Sequence, residues 1–302
     1  MSLFVQQNGT LTDYSPASHE TGSSWSILSS IELSIKRKIE SVGKPLKDWD
    51  IKIYRGILTG CNEAFIIDGA KREEILNNCK TTAERERTDA LIRPILRGRD
   101  IKRYKAEWAG LYVLNVHNGI KEKNIPPIKI EEYPAIKAHL DLYWDKIAKR
   151  SDKGDTPYNL RNCVYMEDFL KQKIVWGEIS DKPKFFFEED GEFYCEATTF
   201  LLTGENLLTI ICFLNSKLAY YLFSKSGTTT GVGTVRWKKY KVFDLFTPIL
   251  NKNKIEELRR LYNDVRNGQS TPDVVDRFFY EVIGVTAEEQ SDIDQECAKI
   301  GL

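Results

Sequence analysis

The sequence has none of the short motifs that mark common catalytic centres. It lacks a G-x-S-x-G nucleophile motif, a Walker phosphate-binding loop and a G-x-G-x-x-G fingerprint after a predicted strand. Its three histidines, His19, His117 and His139, do not have the spacing of metal ligands. The residues therefore do not indicate a serine hydrolase, a P-loop enzyme, a dinucleotide-binding enzyme or a zinc site.

Long apolar runs and an excess of charge of either sign are also missing. No segment approaches the roughly 18 to 20 consecutive apolar residues of a membrane-spanning helix, and the N-terminus does not resemble a signal peptide. The six cysteines form no C-x-x-C pair, which without a secretion signal is typical of free thiols in the cytoplasm. With 44 basic and 44 acidic side chains, a surface that is basic overall is excluded, but a local basic patch is not.

Acidic side chains are absent from one long stretch, residues 206–243. It begins with apolar residues 207–223, which predict a mostly buried helix, continues through small residues at 224–234, and ends in a basic and aromatic strip at 236–241. Glycine permits close approach of the backbone, threonine hydroxyls donate to phosphates or base edges, and lysine and arginine neutralise phosphates. The pattern fits contact with a nucleic acid, and it equally fits a solvated loop beside a basic strand.

A second basic cluster lies at residues 85–105, which hold eight basic and three acidic side chains. Within this cluster, the proline and the single glycine of residues 91–104 predict a fixed loop rather than a plain helix. Like charges gathered together repel one another and are kept for a partner. We therefore expect residues 93–105 and 217–241 to lie on one concave face, with the acidic helix after Thr286 away from it.

The best candidate for catalysis is Asp89 followed by Asp100 and Lys102. An acid and then acid-x-lysine is the minimal pattern of a metal-dependent nuclease, in which carboxylates hold Mg²⁺ and the lysine stabilises the attacking water. Asp50 and Lys52 match the short half equally well, so the pattern has little specificity. The structural alternative is that these side chains form salt bridges.

The apolar patterns predict an α+β protein with mixed β-sheets, packed helices and a helical C-terminal end. We expect strands at 51–57 and 63–67 around a turn, and further strands at 111–116 and 173–179. The Asp190-Gly191 dipeptide predicts a tight hairpin between 184–187 and 192–195. Helices are expected at 28–42 and 131–150, and Thr286 with Glu289 predicts a capping box for the last helix.

Residues 53–68, IYRGILTGCNEAFIID, resemble the opening of the specificity domain in fused restriction–modification enzymes of the type IIG and TaqI-like adenine methyltransferase group. The later blocks of that family occur here in the same order, at residues 96–104, 133–136, 173–176 and 214–218. The resemblance spans roughly residues 25–296, nearly the whole chain.

The resemblance implies a target recognition domain, which reads double-stranded DNA while separate domains methylate adenine and cut. The polar composition of residues 1–24 predicts linker or vector-derived residues, and the apolar pattern of 251–302 predicts a helical segment. Together with the resemblance, this gives an expected recognition domain at 25–250 on which the helical segment packs. The expected partners are double-stranded DNA and upstream methyltransferase and nuclease domains of the same polypeptide. S-adenosylmethionine and Mg²⁺ are expected for that parent enzyme, with no cofactor and no catalysis in this chain.

The candidate DNA-binding residues come from the two basic clusters and the first block. The predicted phosphate contacts are Arg97, Arg99, Lys102, Arg103 and Lys217. The predicted base-reading segment is 225–238, with Lys225, Thr228, Thr229, Thr230, Arg236, Trp237 and Lys238. Arg55 fits either role, and both Arg55 and Arg97 have the alternative of pairing with nearby acids. Two other functions stay open: an active Mg²⁺-dependent endonuclease, and a protein-interaction module that binds an acidic partner.

Overall fold

A computed structural model of the chain describes residues 14–16, 27–225 and 235–302. The helices are α1 Ser30–Val42, α2 Asn62–Phe65, α3 Gly69–Asn77, α4 Thr82–Leu91, α5 Pro134–Asp141, α6 Trp144–Ile147, α7 Leu207–Leu214, α8 Lys217–Lys225, α9 Lys239–Phe243, α10 Lys252–Arg266, α11 Asp273–Ile283 and α12 Ala287–Ala298. The strands are β1 Tyr14–Pro16, β2 Ile27–Ser29, β3 Gly43–Pro45, β4 Ile51–Arg55, β5 Ile66–Asp68, β6 Ile92–Leu96, β7 Leu111–Leu114, β8 Lys173–Gly177, β9 Ile179–Ser180, β10 Phe185–Glu188, β11 Tyr194–Cys195, β12 Thr199–Gly204, β13 Val235–Arg236 and β14 Phe246–Pro248. These elements confirm the predicted α+β class.

The chain folds into two compact units. The sheet unit comprises residues 52–178 and 185–204, and the helical unit comprises residues 1–51, 179–184 and 205–302. Residues 205–225 and 235–250 belong to the same unit as the C-terminal helices. The predicted division of the chain at residues 24 and 250 stays a prediction. The predicted linker at 1–24 lies mostly outside the described residues; its β1 pairs antiparallel with β2.

The first sheet of the sheet unit has the strand order β10-β8-β12-β4. Its central strand β8 is buried along its whole length and pairs antiparallel with β10 and β12. A strand that is buried on both faces reads as a continuous apolar run, which the sequence Ile174-Val175-Trp176 provides. Strand β4 forms one edge of this sheet, and the chain after Arg55 leaves that edge.

The second sheet has the order β11-β6-β7-β5 and is mixed, because β11 is parallel to β6 while the other pairs are antiparallel. Its apolar residues pack into the core of the sheet unit together with α5. Fully buried members of that core include Val113, Leu114, Ile136, Leu140 and Phe169. Each contributes about 1.5–3 kcal/mol by leaving water.

Both hairpins expected from local sequence are wrong. Strand β4 ends at Arg55, residues 62–65 are helical, and β5 joins the second sheet instead of pairing with β4. On either side of Asp190-Gly191, β10 pairs with β8 while β11 pairs with β6. Gly191 still makes a turn at φ +70°, where a Cβ would lie 2.1 Å from the Leu170 carbonyl oxygen. The turn signals were therefore real, but burial of apolar strand faces decided the pairing.

Two further predictions need correction in detail. The loop expected within residues 91–104 is partly regular, since β6 occupies Ile92–Leu96 and a 3₁₀ turn follows at Gly98–Asp100. The expected helix at 131–150 divides into α5 and α6. Pro134 begins α5 as the first helical residue, a position where its missing N–H costs nothing.

The helical unit is organised around α7 and α8. Every residue of α7 is buried, and α10 packs on it, while α11 and α12 pack on α8. The capping box of Thr286 and Glu289 is present at α12. No single described helix is long and apolar enough to cross a membrane; α7 and α8 meet that criterion only as a pair bent by 69°.

Candidate nucleic-acid interface

Four loops of the sheet unit meet beside the end of β4, and we call residues 55–62, 97–100, 177–178 and 196–198 the loop cluster. The Gly56 N–H donates to the Thr199 carbonyl at 2.9 Å and the Ile57 N–H donates to the Cys195 carbonyl at 2.6 Å. The Glu178 N–H donates to the Thr198 carbonyl at 3.0 Å. The backbone itself therefore joins segments that are far apart in sequence.

The backbones of the loop cluster approach one another closely at two glycines. A Cβ on Gly56 would lie 2.0 Å from the Glu196 carbonyl oxygen, well inside contact distance. A Cβ on Gly177 would lie 3.2 Å from the Cα of Gly98. The approach at Gly56 therefore requires glycine, whereas at Gly177 a Cβ would need a shift of only a few tenths of an ångström.

Arg55 is the exposed cation at the centre of the loop cluster. Its Nε donates to the Ala197 carbonyl oxygen at 2.6 Å. A guanidinium has five N–H donors in a planar fork, so this bond leaves the four donors of the two Nη groups for other partners. Within the described part of the chain Arg55 forms no ion pair, so the alternative that it pairs with an acid is not seen.

Glu196 is held next to Arg55 by two neutral donors. Its Oε1 accepts from Asn62 Nδ2 at 2.8 Å, and its Oε2 accepts from Thr198 Oγ1 at 3.2 Å. Asn62 is fixed in turn, because its Oδ1 accepts from Thr59 Oγ1 at 2.5 Å. Sequence reasoning missed these polar residues because Asn62 and Glu196 are 134 residues apart and neither belongs to a recognisable motif.

Arg97 is engaged by a carboxylate of its own loop. Its Nε and Nη2 donate to the two oxygens of Asp100 at 3.0 and 2.8 Å. Asp100 is buried, which opposes its ionisation, yet the hydrogen bonds from Arg97 lower the pKa of this carboxyl group. Arg97 therefore forms an internal ion pair, as the alternative interpretation of the sequence expected, and its guanidinium fixes the 97–100 loop.

The other basic residues of this segment differ in exposure. Arg99 is exposed and has no ion pair among the described residues. Lys102 donates to the Arg99 carbonyl at 2.9 Å and lies 3.6 Å from a Glu107 carboxylate oxygen. The Arg103 guanidinium lies over the Tyr104 ring at 5.7 Å. Arg99 is therefore the most accessible cation of the predicted phosphate contacts in the sheet unit.

The proposed nuclease carboxylates do not converge. Asp89 forms a salt bridge with Arg72 at 2.6 Å, and Asp100 is occupied by Arg97. Among residues 27–225 and 235–302, no group of three or more His, Cys, Asp or Glu side chains is placed to hold a metal ion. The salt-bridge alternative accounts for both acids.

In the helical unit, the acidic C-terminal helix lies against the basic helix α8. Lys217 forms salt bridges with Asp294 at 3.0 Å and Asp273 at 3.5 Å. Lys225 forms salt bridges with Glu32 at 2.8 Å and Glu296 at 3.4 Å. The prediction that the acidic helix after Thr286 lies away from the basic residues is therefore wrong for α8, because its lysines are the partners that neutralise those acids.

The rest of the predicted base-reading segment is divided between surface and core. Arg236 is exposed in β13, and Lys238 lies over the Tyr240 ring at 5.9 Å. Trp237 is 1% exposed and stacks on Phe223 with ring centroids 4.0 Å apart. A buried indole does not reach a DNA groove, so its placement assigns Trp237 to the core. Thr228, Thr229 and Thr230 lie outside the described residues.

Residues 93–105 belong to the sheet unit and residues 217–241 belong to the helical unit. The expectation that they share one concave face therefore stays a prediction.

Comparison with known proteins identifies the family. Residues 93–246, just over half of the chain, match the model of the TaqI-like C-terminal specificity domain. The chain belongs to that family.

Two solved structures share its fold. The first is described as the type IIG restriction endonuclease BpuSI, with a TM-score of 0.56, 16% sequence identity, and coverage of 89% of this chain and 32% of that chain. The second is the type IIL restriction-modification enzyme MmeI in complex with DNA, with a TM-score of 0.60, 11% identity, and coverage of 85% and 36%. The specificity domain described here thus spans about a third of the length of either protein.

The family match covers part of both units of this specificity domain. It includes Arg97, Arg99, Glu196 and Thr198 of the loop cluster, and it ends at Phe246 in β14. Arg55 and Asn62 precede the matched range. The specificity domain therefore extends its loop cluster with residues that the family match does not contain.

Proposed function

We propose that this specificity domain recognises double-stranded DNA at particular sequences for a restriction–modification enzyme, and that the loop cluster contacts the DNA. The membership in a specificity-domain family supports the recognition role. The observation that carries the assignment to the loop cluster is Arg55, whose Nε is anchored on a backbone carbonyl while its remaining donors stay exposed beside the carboxylate of Glu196. A rigid arrangement of donors and acceptors is what discrimination between base edges needs.

Attraction to DNA comes from cations that have no strong internal partner. Arg99 and Arg236 are exposed, whereas Lys217 and Lys225 are held by acidic side chains. Arg99, with Lys102 and Arg103 beside it, is proposed to contact phosphates and to fix the orientation of the duplex without reading sequence. We also propose that residues 228–230 help to read bases.

The recognised site is proposed to serve chemistry in other domains of the same polypeptide. Those domains would methylate adenine at N6 and cleave, with S-adenosylmethionine and Mg²⁺ bound there rather than in this chain. The support is the family membership, together with the length of the two structural neighbours, each of which is more than twice as long as this chain. In this proposal the specificity domain positions the DNA for those domains.

Selection from a library of randomised duplexes tests recognition directly. The 302-residue chain is immobilised, bound duplexes are amplified through several rounds, and the recovered sequences are compared with those recovered on a bare matrix. We expect one enriched motif, and competition with polyglutamate should leave its binding unaffected. Equal competition by polyglutamate and no enriched motif would support the protein-interaction alternative instead.

The chain by itself is expected neither to cut nor to methylate DNA. Both carboxylates of the candidate nuclease pattern have arginine partners, which leaves them poorly placed to hold Mg²⁺. Plasmid is incubated with the chain and Mg²⁺, and separately with labelled S-adenosylmethionine. Cutting that depends on Mg²⁺ and disappears in Lys102→Ala would contradict this expectation, while cutting that survives the substitution would indicate a contaminating nuclease.

A further inference from the structure

We infer that Glu196 and Arg55 together read one G·C pair in the major groove. Glu196 accepts from the exocyclic N4 amine of cytosine, and the two Nη groups of Arg55 donate to O6 and N7 of guanine. This inference rests on the proposed function and deepens it, because it names the two side chains and the base pair that they discriminate.

The carboxylate of Glu196 is both fixed and incompletely used. Asn62 and Thr198 each donate one hydrogen bond, one to each oxygen, which sets the orientation of the group. An ionised carboxylate has about four lone-pair sites, so about half of its acceptor capacity remains. Both donors are themselves exposed, which places the carboxylate at the surface of the loop cluster rather than in the core.

The guanidinium of Arg55 is oriented by the residue next to Glu196. Its Nε donates to the Ala197 carbonyl oxygen, so the fork starts from a point one residue along the chain from the carboxylate. Two features fix the position of Arg55 relative to the 195–199 segment. The Gly56 and Ile57 N–H groups bond the 195–199 segment, and the absent Cβ of Gly56 lets the two backbones touch.

Arg55 is bonded to the backbone one residue from Glu196, and the two side chains form no ion pair within 4.0 Å among the described residues. An internal role for the charges would bring them into contact, as happens for Arg97 and Asp100 in the neighbouring loop. Instead, each is hydrogen-bonded by neutral groups, and Glu196 attracts the Arg97 guanidinium of the neighbouring loop without forming a salt bridge within 4.0 Å among the described residues. Each therefore keeps donors or acceptors for a partner. The partner has to offer acceptors to Arg55 and a donor to Glu196.

Among the base pairs, G·C offers that combination in the major groove. Guanine presents two adjacent acceptors, O6 and N7, and cytosine presents the N4 donor beside them. Adenine alternates an acceptor with a donor, so the arginine fork would meet an N–H group there. A bidentate arginine contact with guanine and a carboxylate contact with cytosine are both favourable pairings, which fixes the base pair.

The test is selection from randomised duplexes with four proteins of 302 residues: the native chain, Glu196→Gln, Arg55→Lys and the control Glu63→Gln. Glu63 is an exposed carboxylate adjacent to Asn62 that pairs with Lys146 at 2.6 Å, outside the loop cluster contacts. The native chain and the control should enrich the same motif with an invariant G·C pair. Glu196→Gln and Arg55→Lys should each lower preference at that one base pair by about 5- to 150-fold and leave the other positions unchanged.

The outcomes separate this inference from the function on which it rests. If the native chain enriches a motif but the two variants alter different positions, an A·T pair, or no position, the inference is overturned and DNA recognition stands. If the native chain enriches nothing, the proposed function fails and the inference fails with it. Thermal unfolding of each variant, followed by circular dichroism, identifies a loss of preference that is caused by unfolding. In that case Glu196→Asp is tested, because it keeps the charge but withdraws it by one methylene. If this variant is folded and does not show the same change of preference, the inference is rejected.

Discussion

A single buried arginine connects the loops that surround the core of the sheet unit. Arg150 donates to the carbonyl oxygens of Asp152 at 2.7 Å and Pro157 at 3.0 Å, and also to those of Thr59 and Asn159. Its guanidinium lies over the Phe65 ring at 4.4 Å. Burial lowers the pKa of Arg150 to about 10, which still leaves it protonated at neutral pH. Carbonyl oxygens therefore take the place of a carboxylate partner here.

We expect Arg150→Met to lower the free energy of unfolding by about 3 kcal/mol or more, because four carbonyls, two of them on buried residues, lose a charged donor at once. Urea unfolding followed by fluorescence measures the loss. The matched control is Arg161→Met, since the Arg161 side chain is 59% exposed and pairs with Asp152 at the surface. That change should cost less than about 1 kcal/mol. Equal losses in the two variants would argue against the role given to Arg150.

Strands β8 and β10 are joined by a buried ion pair as well as by their backbones. Lys173 is fully buried, its Nζ donates to the Phe169 carbonyl at 2.7 Å, and it forms a salt bridge with Glu188, which is 3% exposed. The Glu192 N–H donates to the other oxygen of Glu188 at 3.1 Å. A pair this deep is stable only while both members are present, because a lone buried charge is costly.

Glu188→Leu alone should therefore destabilise the protein by about 3–5 kcal/mol, by leaving the ammonium of Lys173 without its counter-charge. Adding Lys173→Met should recover part of that loss, because the second charge is removed with the first. Chemical denaturation of the two single variants and the double variant gives the coupling energy. Additive losses would mean that the two charges do not interact.

The junction between β4 and the 195–199 segment depends on one glycine. We expect Gly56→Ala to lower the free energy of unfolding by about 1–3 kcal/mol, because its methyl group would overlap the Glu196 carbonyl oxygen. Gly69 is the natural control, since a Cβ there has no heavy atom within 4 Å and the residue begins α3. Gly69→Ala should be neutral or stabilise by up to about 1 kcal/mol. The denaturation midpoints of the two variants are compared. If Gly56→Ala does not lower the midpoint, the two segments can separate without loss of stability.

At the scale of the whole molecule, the net charge is zero, but the basic side chains differ in whether they have acidic partners. The acids of α12 neutralise lysines of α8, while Arg99 in the sheet unit keeps an exposed guanidinium. A cation that already has a protein partner gains less from a phosphate, because the existing pair must be broken first. The count of basic residues therefore overstates the charge available to DNA.

This difference predicts distinct salt dependences. Arg99→Ala should reduce the slope of log affinity against log salt by about 0.9, the value for one lost phosphate contact on duplex DNA. Lys217→Ala should leave the slope nearly unchanged and lower stability instead, since its ammonium is held by Asp273 and Asp294. Binding titrations on one duplex at several salt concentrations measure both slopes. A larger change for Lys217→Ala would restore it as a phosphate contact.

The sequence by itself determined the features that are written in neighbouring residues. The capping box of Thr286 and Glu289 is present, and residues 207–223 are mostly buried, as their local spacing predicts. The single helix expected over 207–223 is instead divided into α7 and α8, which are bent by 69° relative to each other. The ordered blocks at 53–68 and 96–104 were sufficient to indicate the family, because such blocks are recognised without knowledge of their contacts. The α+β class follows from the same local periodicities.

Tertiary structure alone decided the strand partners and the candidate interface. The turn residues at Asp190-Gly191 predicted a hairpin, yet β10 and β11 joined different sheets because each buried its apolar face where the core required it. Arg55 bonds Ala197 and Asn62 bonds Glu196 across more than 130 residues, and Lys217 pairs with Asp294, which is 77 positions away. No periodicity encodes such distances, because they are set by which apolar surfaces leave water together, and polar side chains take their partners from the arrangement that results.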